Sequence, residues 1–220
     1  MTRSAPVQGT SFDCFGTLID VDRTANPAPR IARELSARGV SVPQDWNEAY
    51  RTPQVDAARY EEVPLPIHVR AVLENRSVDV PSPQSSTVQD AVLAAFDATV
   101  QTRSGAVSTV EATAKHGPVG ILSNCSVPGL VERSLAKSAL DSEQFDVVVT
   151  SVDCGWRKPD PRAFEAITAH LDVPLSALVH IGDDPETDGG ASKTGATAVL
   201  VNEVPLTDVP DFITQDGGDC

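Results

Sequence analysis

Residues 11–20 read SFDCFGTLID, and the order of residues in that stretch sets the architecture of the chain. Residues 9–15, GTSFDCF, run like a buried strand that carries Asp13 at its end, and Gly16-Thr17 follows as a sharp polar loop. A strand that ends on a carboxylate and turns on glycine projects that carboxylate beyond the edge of a sheet. Two positions on stands Phe15, which has no proton to give.

Outward from this stretch the same kind of strand recurs. GPVGILSN (117–124), FDVVVTS (145–151), SALVHIG (176–182) and ATAVLVN (196–202) are short, β-branched and uninterrupted, as parallel strands covered on both faces tend to be. VSTVEATAKHG (107–117), VPGLVERSLAKSAL (127–140) and PRAFEAITAHL (161–171) carry helical spacing. Strands alternating with helices of this size predict an α/β fold with a Rossmann-like parallel sheet core. Residues 28–39, 45–52, 65–76 and 87–102 read as helices, with Pro/Ser-rich 79–87 between the last two, and no strand is expected there. The expected organisation is therefore a core from 1–20 and 105–205, a helical insertion over 21–104, and an acidic tail at 206–220 whose last residues, 216–220, fray.

Composition narrows the partners. The 31 acidic residues outnumber 17 basic ones, for a net charge of -14 and a pI near 4.5. Such a surface repels nucleic-acid phosphates and anionic lipids, so neither nucleic acid nor membrane is expected as partner. Lys115, Lys137, Lys158 and Lys193 are the only lysines. An Asp-rich, Lys-poor chain suits a high-salt cytoplasm, where screening removes self-repulsion. No apolar run approaches the ~20 residues of a membrane span, and MTRSAPVQGT lacks the apolar stretch of a secretory signal, so a cytoplasmic location is expected. Cys14, Cys125, Cys154 and Cys220 lack C-x-x-C or Cys/His spacing, which argues against structural zinc or a disulfide framework. The first three lie beside the candidate site residues and read as small packing side chains.

Ligands of open parallel sheets bind beyond the carboxyl ends of the strands. Those ends offer Asp13 and Thr17, then Ser123 and Asn124, then Lys158 before Pro159, then Asp183, Asp184 and Asp188. Singly each has a structural reading: a turn, a helix cap, an exposed charge, an N-cap before proline. In order at successive strand ends, a carboxylate, a hydroxyl, an ammonium and an acidic cluster make a phosphoryl-binding and metal-binding set.

On those motifs the chain resembles the haloacid dehalogenase superfamily of α/β hydrolases and phosphatases, and the insertion resembles that family's α-helical cap. The resemblance implies Asp13 as nucleophile, with Ser123 and Lys158 holding phosphoryl oxygens beside Thr17 and Asn124. It implies Mg2+ held by Asp13, the Phe15 backbone carbonyl, Asp183 and Asp188, with Asp184 a further candidate. Phe15 stands where the family's phosphatases carry the aspartate that protonates the leaving group, a contribution typically worth ~10² to 10⁴ in rate. The family's dehalogenases, which are metal-free, have an aromatic residue there. Three readings follow: a magnesium-dependent phosphohydrolase acting on a small molecule, which the acidic fourth motif favours; a 2-haloacid dehalogenase; and a phospho-ligand-binding protein with little catalysis. His68, Arg70, Arg23 and Arg30 are candidate cap contacts to an anionic substrate, His68 also as a proton donor. Trp156 is a candidate for the seam between cap and core.

Overall fold

A computed structural model describes residues 7–22, 25–80, 82 and 85–217. Its centre is a five-stranded, all-parallel sheet of β1 (Gly9–Phe12), β4 (Val119–Ser123), β5 (Val147–Thr150), β6 (Leu178–Gly182) and β7 (Thr197–Leu200). The spatial order is β5-β4-β1-β6-β7, so the chain adds strands on one side of β1 and then crosses to the other. The carboxyl ends of β4, β1 and β6 thus meet at the switch point, where ligands of such sheets bind. All five strands lie inside the apolar runs that predicted them. Adjacent residues face opposite sides: Ile121 packs in the larger core with Phe12 and Val179, Leu122 in a second one with Phe164 and Ile167. Burial on both faces is what an uninterrupted apolar run encodes.

The helix α8 (Pro161–Leu171) matches its predicted span and shows why. Asp160 accepts from the Arg162 amide as N-cap, Pro161 opens the first turn, and Asp172 ends the helix in a left-handed conformation. Its face of Ala163, Phe164, Ile167 and Leu171 closes the second core.

Between β1 and β4 run α1 (Ala28–Ala37), α2 (Trp46–Arg51), α3 (Leu65–Glu74) and α4 (Thr87–Ala95). α1 packs on α2 and α4, and α3 on α2 and α4. Two short strands were not foreseen. β2 (Ile19–Val21) pairs antiparallel with β3 (Val100–Thr102), tying the entry of the helical segment to its exit. The expectation of helix through 102 and of no strand in this region is therefore corrected: α4 stops at Ala95, and three residues that pair only with a distant segment carry no period of their own. Beyond β3 come α5 (Ala106–Thr113), α6 (Leu130–Leu135) and the four-residue α7 (Ser151–Cys154), the last also unforeseen. The stretch expected as an acidic tail instead holds a 3-10 turn, Leu206–Asp208, and α9 (Val209–Gly217). Leu206, Val209 and Ile213 are buried in the larger core, and α9 packs on α5. Its apolar face, with Val209 and Ile213 at i and i+4, packs it onto the core. Residues 218–220, with Cys220, lie outside the described set, as do Arg23 and Thr24. Among the described residues no helix is long and apolar enough to cross a membrane.

Candidate active site

Asp13 follows the last residue of β1 and is fixed there by its amide, which donates to the Ile181 carbonyl at 2.8 Å. The residue is 8% exposed, so a charge there needs a partner. Lys158 supplies one: its Nζ donates to Asp13 Oδ1 at 2.9 Å, lies 2.7 Å from Asp188 Oδ1 and donates to the Leu122 carbonyl at 2.6 Å. An ammonium has three N–H groups, and these three acceptors use them all. Burial opposes the lysine's charge, but Asp13 and Asp188 outweigh it and hold the pKa above the ordinary lysine value.

The lysine is held in turn. Its amide donates to Asn124 Oδ1 at 2.8 Å, and Asn124 Nδ2 donates to its carbonyl at 3.0 Å, so the amide side chain after β4 fastens the loop after α7. Asp188 is equally constrained. Its Oδ2 accepts from the Asp183 and Asp184 amides at 3.1 and 3.0 Å. Burial opposes its charge, but the hydrogen bond from His180 and the charge of Lys158 hold its carboxyl well below the usual range.

Asp183 completes the group. One oxygen from each of Asp13, Asp183 and Asp188 lies within 4.8 Å of the others, a spacing that one cation can bridge. Burial, and then the charge of Asp13, push the Asp183 carboxyl above its ordinary pKa. A hydroxyl hydrogen bond from Thr17 at 3.1 Å opposes that shift, so Thr17 is turned to Asp183. Two glycines make the cluster sterically feasible. A Cβ on Gly182 would lie 2.1 Å from the Asp188 carboxyl carbon, and one on Gly16, whose φ is +94°, would lie 2.5 Å from Asp183 Oδ2.

The remaining candidates divide. Ser123, at the end of β4, is 1% exposed and its Oγ has no hydrogen-bond partner among the described residues, an orphan that a ligand oxygen would satisfy. Phe15 is partly buried, and its backbone forms a bridge with Ile19. Asp184 is not part of the carboxylate group: exposed, it accepts from the Glu186 and Thr187 amides as a local cap. His68 Nε2 donates to the Tyr50 carbonyl at 2.8 Å, with its ring edge-on to Tyr50, so it is committed within the helical segment. Arg70 reaches the Ser82 carbonyl and Glu74, and Arg30 the Asp97 carbonyl. Trp156 bridges to Glu61 of the helical segment and carries the Arg162 guanidinium over its ring at 3.1 Å.

Two residues were missed by sequence reasoning. Ser11 and His180 face each other in register across β1 and β6, with Ser11 Oγ 2.8 Å from His180 Nδ1. His180 Nε2 lies 3.1 Å from Asp188 Oδ1 and 3.5 Å from Lys158 Nζ. Burial, and then the charge of Lys158, lower its pKa, so the ring is neutral: it accepts from Ser11 and donates to Asp188. The available signal was a histidine inside the otherwise apolar β6; Ser11 stands beside Thr10 in β1 and gave none.

A family model described as haloacid dehalogenase-like hydrolase matches residues 9–194. Over 93 residues the chain is 38% identical to Phosphatase MT3486 of Mycobacterium tuberculosis, a match covering 42% of each. The chain spans less than half the length of the curated relatives it matches. Its fold is similar to that of a 2-haloacid dehalogenase from Pseudomonas syringae pv. Tomato, with a TM-score of 0.68 and 22% identity over 95% of this chain and 99% of that one. It is also similar to a HAD phosphatase from Thermococcus onnurineus, with a TM-score of 0.58 and 19% identity over 94% and 98%.

Proposed function

The chain belongs to the haloacid dehalogenase-like hydrolases, and from that premise we propose that it is a magnesium-dependent phosphohydrolase forming an aspartyl-phosphate at Asp13. The observation that carries this reading is the convergence of three carboxylates on one point. Lys158 offsets two of these charges, and the raised pKa of Asp183, set by burial and then by the charge of Asp13, marks the charge that a metal ion would offset. Asp13, Asp183, Asp188 and the Phe15 carbonyl are the hard oxygen donors that would hold Mg2+. Bound there, the ion supplies the positive charge that lets a carboxylate approach an anionic phosphoryl group.

Asp13 attacks phosphorus, the bond to the leaving oxygen breaks, and that oxygen departs with the electron pair. Water then attacks the same phosphorus, the Asp13–phosphorus bond breaks, and phosphate leaves with the carboxylate restored. Lys158, 2.9 Å from Asp13 Oδ1, keeps the nucleophile aimed, and the Ser123 hydroxyl, unpartnered among the described residues, donates to a phosphoryl oxygen. The helical segment acts as the cap that excludes water. Phe15 supplies no proton, so the leaving oxygen must depart as a stable anion or be protonated by water. Acyl phosphates, anhydrides and aryl phosphates leave by the first route, whereas alkyl phosphates depend on the slower second one.

Phe15 also favours a second reading, in which Asp13 attacks carbon and displaces halide, which needs no proton. The deciding experiment is phosphate release from acyl, aryl and alkyl phosphates in high potassium chloride, with Mg2+ or with a chelator. Release that requires Mg2+ and ranks with leaving-group acidity is expected. Absence of release with every ester, together with halide release from 2-haloacids in the chelator, would replace the first reading by the second.

A further inference from the structure

A cavity of about 240 Å³ opens between the helical segment and residues 124–137, the loop after β4 and α6. It begins where the reaction centre ends: Phe15 and Asn124 line it, whereas Asp13 does not. Phe96, Val127 and Leu130 join Phe15 to make much of its wall apolar. Its charges are concentrated in one cluster. Arg133 Nη2 lies 3.0 Å from Asp97 Oδ2, Lys137 Nζ also meets that carboxylate, and Arg30 Nη2 donates to the Asp97 carbonyl at 2.8 Å. Among the described residues three cations line this cavity against two carboxylates, Asp97 and Asp22, in a chain whose overall balance is 17 basic to 31 acidic. A local excess of positive charge on a strongly negative molecule gathers small anions.

We propose that this cavity binds the unreactive end of the substrate, a short apolar body terminating in a carboxylate, which Arg133 and Lys137 receive. The proposal rests on the phosphohydrolase reading for the other end of that molecule. The argument for a carboxylate comes from Asp97, whose own carboxylate already sits against both cations and shows that the pair accepts this group. The side chains of Arg133, Lys137 and Asp97 are 42%, 37% and 40% exposed, so the pairing is open to solvent. Exposed ion pairs are individually weak, and an incoming carboxylate can replace Asp97 like for like. Apolar contact with Phe15 and Phe96 then gives that side chain in place of the usual aspartate a positive role, as a wall of the substrate channel.

The test is calorimetric titration with Mg2+ present, using alkylphosphonates of two to four carbons with and without a terminal carboxylate. At one chain length the carboxylated probe should bind about tenfold more tightly than its plain counterpart. Asp97→Asn should keep or enlarge that preference, because it frees the cations, and Arg133→Met with Lys137→Met should abolish it. Equal affinities at every length in the wild-type protein would overturn the proposal, as would a preference that survives the double substitution. A preference for a second phosphonate over the carboxylate would also overturn it. Turnover of p-nitrophenyl phosphate separates the two readings. Turnover without a carboxylate preference would leave the phosphohydrolase standing and remove the subsite, and a preference without turnover would do the reverse.

Discussion

Lys158 carries the electrostatics of the site. Two carboxylates that are 8% and 2% exposed, Asp13 and Asp188, share its ammonium. Removing one partner of a buried ionic group typically costs about 3–5 kcal/mol, because the remaining charge stays desolvated. Lys158→Met should therefore lower the unfolding free energy obtained from urea titration by that order, and Mg2+ should restore more stability to the variant than it adds to the wild type. An unchanged unfolding free energy would mean that neither acid depends on the lysine in the folded state. Phe15→Asp tests the opposite deficiency. If a missing proton donor is what limits alkyl phosphates, their kcat should rise by up to about 10²-fold while aryl phosphates change little; a uniform loss would show that the aromatic ring is needed for binding. At this scale Asp13, Ser123, Lys158, Asp183 and Asp188 could be picked out as candidates because each lies at or shortly beyond a strand end in a short local motif. His180 and Ser11 were not, since their meaning comes from a register between segments 169 residues apart.

Elements show the same division between local and distant information. The five core strands and α8 advertise themselves through uninterrupted apolar runs and caps, whereas β2 and β3 exist only because they pair with each other. A further long-range feature joins the helical segment to the core. The Glu62 amide donates to the Gly155 carbonyl, the Arg157 amide to the Tyr60 carbonyl, and the Leu65 amide to the Ser126 carbonyl. Ser151 Oγ donates to Glu62 Oε2 at 2.6 Å and accepts from the Cys125 amide, next to Asn124. Burial raises the Glu62 pKa above its ordinary 4.5, more than the Ser151 hydrogen bond lowers it. A carboxyl whose pKa is higher folded than unfolded takes up protons on folding, so its unfavourable contribution is full above the folded pKa and vanishes below about 4.5. Glu62→Gln keeps a hydrogen-bonding group without the charge. It should raise the urea midpoint at pH 8, with the gain shrinking towards pH 4.5. A gain independent of pH would assign the effect to packing instead.

For the whole molecule the dominant quantity is charge. A net of -14 on 220 residues makes the folded chain repel itself, and its exposed ion pairs offset little of that. Expansion on unfolding relieves the repulsion, so salt should favour the folded state by shortening its range, from about 10 Å at 0.1 M to about 3 Å at 1 M. Tm should therefore rise steeply between 0.1 and 1 M potassium chloride and then level off. Salts excluded from protein surfaces act differently, strengthening apolar burial in proportion to concentration without levelling. The shape of the curve thus separates screening from exclusion. A second test uses the chain itself: replacing Asp56, Asp79 and Glu203, whose acidic side chains lie on exposed or partly exposed loops, by lysine changes the net charge by six. That variant should be more stable than the wild type in 0.1 M salt and should lose part of the salt dependence. If it instead melts earlier at low salt and follows an unchanged curve, the acidic surface does not govern stability, and the expectation of a high-salt working environment loses its physical basis.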